Sequence, residues 1–204
     1  MKLLSRSIIY FSVVLTSLTA HAQNGFQEGY IITNNGDTIN GFIKDRREGS
    51  FADLYKQVRF KGKGMFTKKY SAHQISGYKR GNDIFESHWF EQDRRLLKEN
   101  YYSRKGAGRK VFLKVVESAY LSLYYKEFLD QESGFVDYFP LFKREDEDYF
   151  VRVTQGISGL KKKRLAEYFR DCPDVLEQIE NNMLKTPMQI AEYYNLNCRI
   201  KPVK

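Results

Sequence analysis

Between residues 111 and 154 the chain passes through four apolar and aromatic runs, at 111–116, 120–128, 135–142 and 149–154, with only short polar breaks between them. This pattern restricts the fold more than any other feature. The spacing of the runs reads as strands, and the second run shows the alternation of an extended segment. Leu121, Leu123 and Tyr125 fall on one face of an extended segment, while Tyr120, Ser122 and Tyr124 fall on the other. Gly134 and the charged stretch 143–148 mark the later breaks, so the region reads as an antiparallel meander. Pro140 cannot donate to a ladder and predicts an edge position or a bulge for its strand.

Upstream, residues 29–33 and 38–44 are strand-like and flank Asn34-Asn35-Gly36-Asp37, whose Asn and Gly tolerate the positive φ of a tight hairpin turn. Further strands are expected at 54–60, 74–80 and 84–90, with Gly81-Asn82 as a second turn. Fifteen Tyr and fifteen Phe suit pleated surfaces, or the lining of a ligand groove. After Gly159 the period changes. Leu165 and Phe169 are four apart. Asp171-Cys172-Pro173 reads as a break and restart, and Val175, Leu176, Ile179 and Met183 form one stripe. Thr186-Pro187-Met188-Gln189 has the cap, first-turn proline and capping-box glutamine of a last helix, continued by Ile190, Tyr193 and Tyr194. The expected class is α+β: an antiparallel sheet, a meander open to strong curvature or barrel closure, then a C-terminal helical segment covering one face.

The first 22 residues follow the plan of a secretory signal. Lys2 and Arg6 are basic, residues 8–18 are apolar apart from small hydroxyl residues, and Ala20-His21-Ala22 is a small-x-small cleavage site. The apolar run is too short to span a bilayer about 30 Å thick. The expected organisation is a signal peptide at 1–22, a β-rich domain at 23–158 and a helical segment at 159–204. The expected location is periplasmic or secreted. The first cysteine is Cys172, far from the cleavage site, which argues against a lipid anchor, and no later segment is apolar enough for a transmembrane span.

Processing lowers the formal charge from +9 to +7. That excess favours an anionic partner, and the compartment makes it an envelope lipid or acidic glycan, with no nucleic acid expected. The basic residues come in small groups: Lys61, Lys63, Lys68 and Lys69; Arg104, Lys105, Arg109 and Lys110; and Lys161, Lys162, Lys163 and Arg164. Each group alone is what a solvated loop or helix face also carries. The second group lies beside Gly106 and Gly108, in a segment read as an adaptable loop, and is the candidate anion-binding set.

Cys172 and Cys198 are the only cysteines, and in an oxidising compartment an even count points to a disulfide, with two free thiols as the alternative. No Cys-x-x-Cys supports redox chemistry. After processing two histidines remain, His73 and His88, with Asp83, Glu86 and Glu91 as potential companions, but no His-x-x-x-His spacing puts two ligands on one helix face. Gly156-Ile157-Ser158-Gly159 lacks the last glycine of a nucleophile elbow, because the next residue but one after Ser158 is Leu160. Lys61-Gly62-Lys63-Gly64 lacks the length of a phosphate loop, and Glu145-Asp146-Glu147-Asp148 lacks the alternation and glycine of a calcium loop. The sequence therefore names no catalytic residue, no metal ligand and no cofactor.

Two stretches carry a resemblance. Gly36-Asp37-Thr38-Ile39-Asn40-Gly41-Phe42-Ile43 opens the mature domain, and Tyr168-Phe169-Arg170-Asp171-Cys172-Pro173, with Tyr193-Tyr194-Asn195 and Cys198, closes it. Together they resemble a loose set of exported proteins of Gram-negative bacteria. The resemblance implies export and a β-then-helix order; it implies no activity. The functional expectation is a non-catalytic binding or structural module contacting an anionic envelope component; the alternative is a periplasmic enzyme whose site is assembled from dispersed residues. Oligomeric state leaves no mark on the sequence. Mass spectrometry of the exported protein should find a mature chain beginning at Gln23; material retaining residues 1–22 would contradict the export reading.

Overall fold

The computed structural model describes residues 25–47, 54–64, 66–95, 98–155 and 159–198; residues 1–22, read from the sequence as a signal peptide, lie outside them, as do Gly156, Ile157 and Ser158. The described chain forms eleven strands and then three helices. The strands are β1 (Gln27–Thr33), β2 (Thr38–Arg46), β3 (Leu54–Lys61), β4 (Thr67–Tyr70), β5 (Ile75–Arg80), β6 (Asp83–Arg95), β7 (Lys98–Tyr102), β8 (Arg109–Glu117), β9 (Leu121–Leu129), β10 (Val136–Arg144) and β11 (Tyr149–Arg152). The helices are α1 (Lys162–Tyr168), α2 (Pro173–Glu180) and α3 (Pro187–Asn197). The α+β order expected from the sequence is the one observed, and the meander is closed.

All strands belong to one antiparallel sheet in the order β4-β3-β2-β1-β5-β6-β7-β11-β10-β9-β8, and β8 returns to pair with β6. The last six strands thus form a closed barrel, and the first five extend from it as a curled flap. The turns follow the chemistry of their residues: Gly36 (φ +92°) and Gly81 (φ +59°) take the left-handed backbone that the β1–β2 and β5–β6 hairpins require. Gly29 and Gly41 face each other across β1 and β2. A Cβ on Gly29 would collide with the Lys79 carbonyl, and one on Gly41 with the Phe60 ring, so bare backbone here lets the flap curl tightly.

The sheet has two insides. On the flap, Ile31, Ile43, Val58, Phe60, Ile75, Tyr78 and Phe85 form one core. In the barrel, Phe90, Tyr101, Leu113, Tyr124, Leu141 and Phe150 form another, one residue from each of β6 to β11. These six fill the centre, as expected of a small barrel. A third core lies outside the barrel, where Leu121, Leu123, Phe142, Val151 and Val153 receive Leu165, Phe169, Val175, Ile179, Ile190 and Tyr194 from the helical segment. The helical stripes therefore cover one sheet face as the pattern predicts, except that Met183 lies past the end of α2 and is 67 % exposed.

Polar contacts hold the helices in place. The Arg144 guanidinium donates to Glu147 at 3.1 Å, to the Tyr168 carbonyl at 3.0 Å and to Asp171 at 2.6 Å, and lies over the rings of Tyr168 and Tyr194. Asn195 accepts from Leu121 N–H at 2.9 Å and donates to Leu121 C=O at 3.0 Å, pairing α3 with the start of β9. The acidic stretch 145–148 is part of this docking: Glu147 accepts from Tyr149 and Tyr168, and Asp146 from Tyr120. Thr186 and Gln189 form the expected capping box of α3. Among the described residues no helix is long and apolar enough to cross a membrane.

One expectation is corrected. Pro140 does not place its strand at an edge, because β10 pairs with β9 on one side and β11 on the other. The ladder to β11 runs only from Leu141 to Phe142, and Pro140 sits just past it, where its carbonyl accepts from Val153 N–H at 3.0 Å. The missing N–H faces that same side, where β11 has already ended, so the ladder loses no bond.

Cys172 and Cys198 are bonded, with Cα atoms 5.7 Å apart, and join the start of α2 to the end of α3. The 26-residue separation makes the bond worth about 3 to 4 kcal/mol in the chain-entropy treatment. Cys198→Ala should lower stability by about that amount and loosen α2 and α3 while the strand signal in circular dichroism persists. Labelling of denatured, unreduced wild-type protein should find no thiol; two labelled thiols per chain would contradict the bond.

Candidate functional site

In a barrel strand every second residue points inward, so the apolar plug fixes the parity of the layers above and below it. Beyond the plug, toward one end, the inward positions are Gln92 on β6, Glu99 on β7, Lys126 on β9, Phe139 on β10 and Arg152 on β11, each two residues from its plug residue, and Arg109 on β8, four residues from Leu113. All six line a single cleft of about 500 Å³, floored by Phe90 and Tyr101. The barrel mouth is thus a cup with aromatic walls, three cations and two carboxylates, Glu99 in the inward layer and Glu91 beside it.

Both carboxylates are engaged, Glu91 by Arg104 at 2.6 Å. Glu99 accepts from Tyr101 OH at 2.7 Å and lies 3.5 Å from the Arg152 guanidinium, and burial together with Glu99 raises the Tyr101 pKa. Arg152 lies over the Phe139 ring at 4.6 Å, and its buried Nε has no hydrogen-bond partner. The Lys126 ammonium sits 5.5 Å from the Phe90 ring centre and 5.8 Å from that of Phe139. Among the described residues no carboxylate pairs with Lys126 or Arg109. Burial, reinforced by Arg109, pushes the Lys126 pKa below its usual value. A partly desolvated cation to which no described residue gives a carboxylate partner, held between two aromatic faces, is a position where a bound anion would offset the cost of burial.

At the other end of the plug the inward positions carry a second polar group. Glu86 Oε2 lies 3.1 Å from His88 Nε2 and accepts from Tyr124 OH at 2.9 Å. The His88 hydrogen bond, against the cost of burial and with help from Tyr124, holds the Glu86 carboxyl below the usual range, while burial and Glu86 push the Tyr124 phenol above it. His88 also packs against Tyr124 and Phe150 at 4.8 and 5.7 Å. His73, by contrast, is exposed and rests on Trp89.

The four candidate anion-binding residues are dispersed. Arg104 is tied to Glu91 at 2.6 Å and lies over Tyr102, and Lys105 is exposed on the β7–β8 connection. Arg109 and Lys110 belong to β8 and not to the loop; Arg109 lines the cup, while Lys110 lies outside over Trp89 at 5.9 Å. Two of the cup's three cations, Lys126 and Arg152, were not singled out from the sequence. The signal was present: each stands two residues beyond an inward aromatic, Tyr124 and Phe150, so a charge falls on a strand's core-facing parity. Of the third basic group, Arg164 donates to the Glu99 carbonyl at 2.6 Å and to Asn100 at 3.2 Å, securing α1 to β7.

No family model, curated protein or solved structure matches the chain.

The Glu86 geometry has a pH consequence. Its folded pKa is lowered, so its contribution to stability is present above the unfolded value near 4.3 and is lost as pH falls through the folded value. Glu86→Gln should cost about 1 kcal/mol at neutral pH, discounted for partial exposure, and the gap to wild type should narrow between pH 5 and pH 3 in urea titrations. A gap that is constant over that range would contradict the role of the charge.

Proposed function

We propose that the protein is a binding module of the cell envelope that holds an anionic component, a lipid or an acidic glycan, at the mouth of its barrel. One observation carries this reading: the cleft at the mouth holds Arg109, Lys126 and Arg152 against Glu99 and Glu91, the latter tied to Arg104, and among the described residues no carboxylate pairs with Lys126. An anion entering the cup gains charge-assisted hydrogen bonds in a half-buried setting, and any apolar part meets Phe90, Tyr101 and Phe139. The cations stand on strands, so the receptor is formed before the ligand arrives and little ordering entropy opposes binding. The positive charge of the mature chain draws anions toward it.

The enzyme alternative has one observation in its favour. A carboxylate beside an imidazole, as in Glu86 and His88, is the arrangement of a general base. The same carboxylate oxygen also accepts from Tyr124, and the three do not line the cup. They are better accounted for as a cross-strand tie inside the barrel.

The test is calorimetric titration with octyl phosphate, octanol and a galacturonate trimer. The reading expects one or both anions to bind, octanol to bind at least tenfold more weakly than the anion that does, and Lys126→Ala to weaken that anion about tenfold. The lowered Lys126 pKa sets the pH dependence: affinity should fall as pH rises through that value, earlier than for an ordinary lysine near 10.4. Absence of binding by both anions, or unchanged affinity in Lys126→Ala, would contradict the proposal.

A further inference from the structure

The outward face of the flap carries a second feature, distinct from the barrel mouth. Side chains whose partners in the register face each other share a side of the sheet. Opposite the side of Ile31, Ile43 and Phe60, this register places Tyr30 and Lys79 across β1 and β5, Asn40 and Phe42 on β2, Lys61 on β3 and Lys69 on β4. A groove of about 540 Å³ crosses this face, with Tyr30 and Phe42 as its apolar walls, Lys63 and Lys79 as its cations and Glu28 as its carboxylate. Gly62 and Lys63, which belong to the β3–β4 connection, help line it, so that connection borders the groove. The same connection presents Phe66, which is 82 % exposed, the highest value among the exposed large apolar residues. Lys61, Lys63, Lys68 and Lys69 are exposed around it.

Lysines on a short edge strand have a simpler use, since they discourage another chain from pairing with the open edge of β4. That use does not account for a phenyl ring standing in water beside them, nor for Lys63 and Lys79 lining one groove. An aromatic tip flanked by cations is the arrangement that suits a bilayer interface: the ring enters the acyl boundary and the lysines meet anionic headgroups.

We propose that this face docks on an anionic lipid surface, with Phe66 inserted at the interface, Lys63 and Lys79 taking a headgroup phosphate in the groove, and Lys61 and Lys69 supplying longer-range attraction. This rests on the reading of the protein as a module that contacts an anionic envelope component, and it assigns the membrane to the flap while the barrel mouth remains a separate receptor. Because flap and barrel share β6, docking the flap holds the mouth at a fixed attitude to the membrane.

The test is co-sedimentation of the mature chain with vesicles of phosphatidylcholine alone and with phosphatidylglycerol added. The proposal expects binding only to the anionic vesicles, and loss of it in 1 M salt, where the Debye length falls to about 3 Å. Phe66→Ser should weaken binding about tenfold, and Lys63→Ala and Lys69→Ala about fivefold each. All three sites are exposed, so folding is not at stake, and Lys163→Ala, an equal loss of charge at an exposed position of α1, should bind vesicles as wild type does. Vesicle binding that survives Phe66→Ser and Lys63→Ala but fails in Lys126→Ala would overturn the docking face and leave the barrel-mouth reading standing. No binding to anionic vesicles would overturn the docking face as well, and the octyl phosphate titration then decides the mouth independently.

Discussion

Strand β6 is the element on which both halves of the molecule depend. Along one edge it pairs with β8 from Ile84 to Phe90. Its other edge is divided, with Asp83 to Glu86 bonded to β5 and Glu91 to Arg95 bonded to β7. Both faces are occupied too: Phe85 is buried in the flap core, while His88 and Phe90 point into the barrel. A strand with two used edges and two covered faces cannot leave either half without exposing the other's backbone and apolar surface. The thirteen-residue length of β6 is what allows the flap and the barrel to be one sheet.

A polar seam completes the join. Asp45, 4 % exposed, accepts from the Tyr78 phenol at 2.9 Å and pairs with Arg46 and Arg80 at 3.0 and 3.1 Å. Arg46 reaches on to Glu127 of β9 at 2.8 Å, tying β2 to the barrel where no strand pairing does so. Burial, with the Asp45 charge, pushes the Tyr78 phenol well above its usual range, so it stays a donor. Such a seam adds little net stability against an apolar equivalent, yet removing one partner leaves a buried charge uncompensated. Its role is to fix how far the flap curls. Arg144 does the same for the helices, and with the disulfide it holds a third layer against β9, β10 and β11.

Much of this was legible in the sequence because it is local. Alternation in residues 120–128, the Gly36 turn, the period change after Gly159 and the Thr186 capping box each occupy a few residues and act through nearest neighbours. Two strands were not legible. β4 is Thr67-Lys68-Lys69-Tyr70, too polar to read as a strand, and it forms because β3 offers an edge. β7, with Lys98, Glu99 and Asn100 before its tyrosines, lacks an apolar run, and it is the strand that joins β6 to β11 and closes the barrel. Closure is a long-range event that no window reports. The cup at the barrel mouth was hidden for the same reason: its cations come from three strands, and sequence grouping favoured Arg104 and Lys105, which stand near Arg109 in the chain but not in the cup.

The functional reading inherits this architecture, since a receptor at the mouth and a docking face on the flap act together only if the sheet moves as one body. Native-state hydrogen exchange on Ile43→Ala, a fully buried flap residue far in sequence from the barrel, tests that most directly. The substitution should cost about 2 to 5 kcal/mol. If β6 couples the halves, the slowest-exchanging amides of β9 and β10 lose protection by the same free energy as those of β1 and β2. Loss confined to β1 through β5, with β8 to β11 exchanging at wild-type rates, would contradict the account.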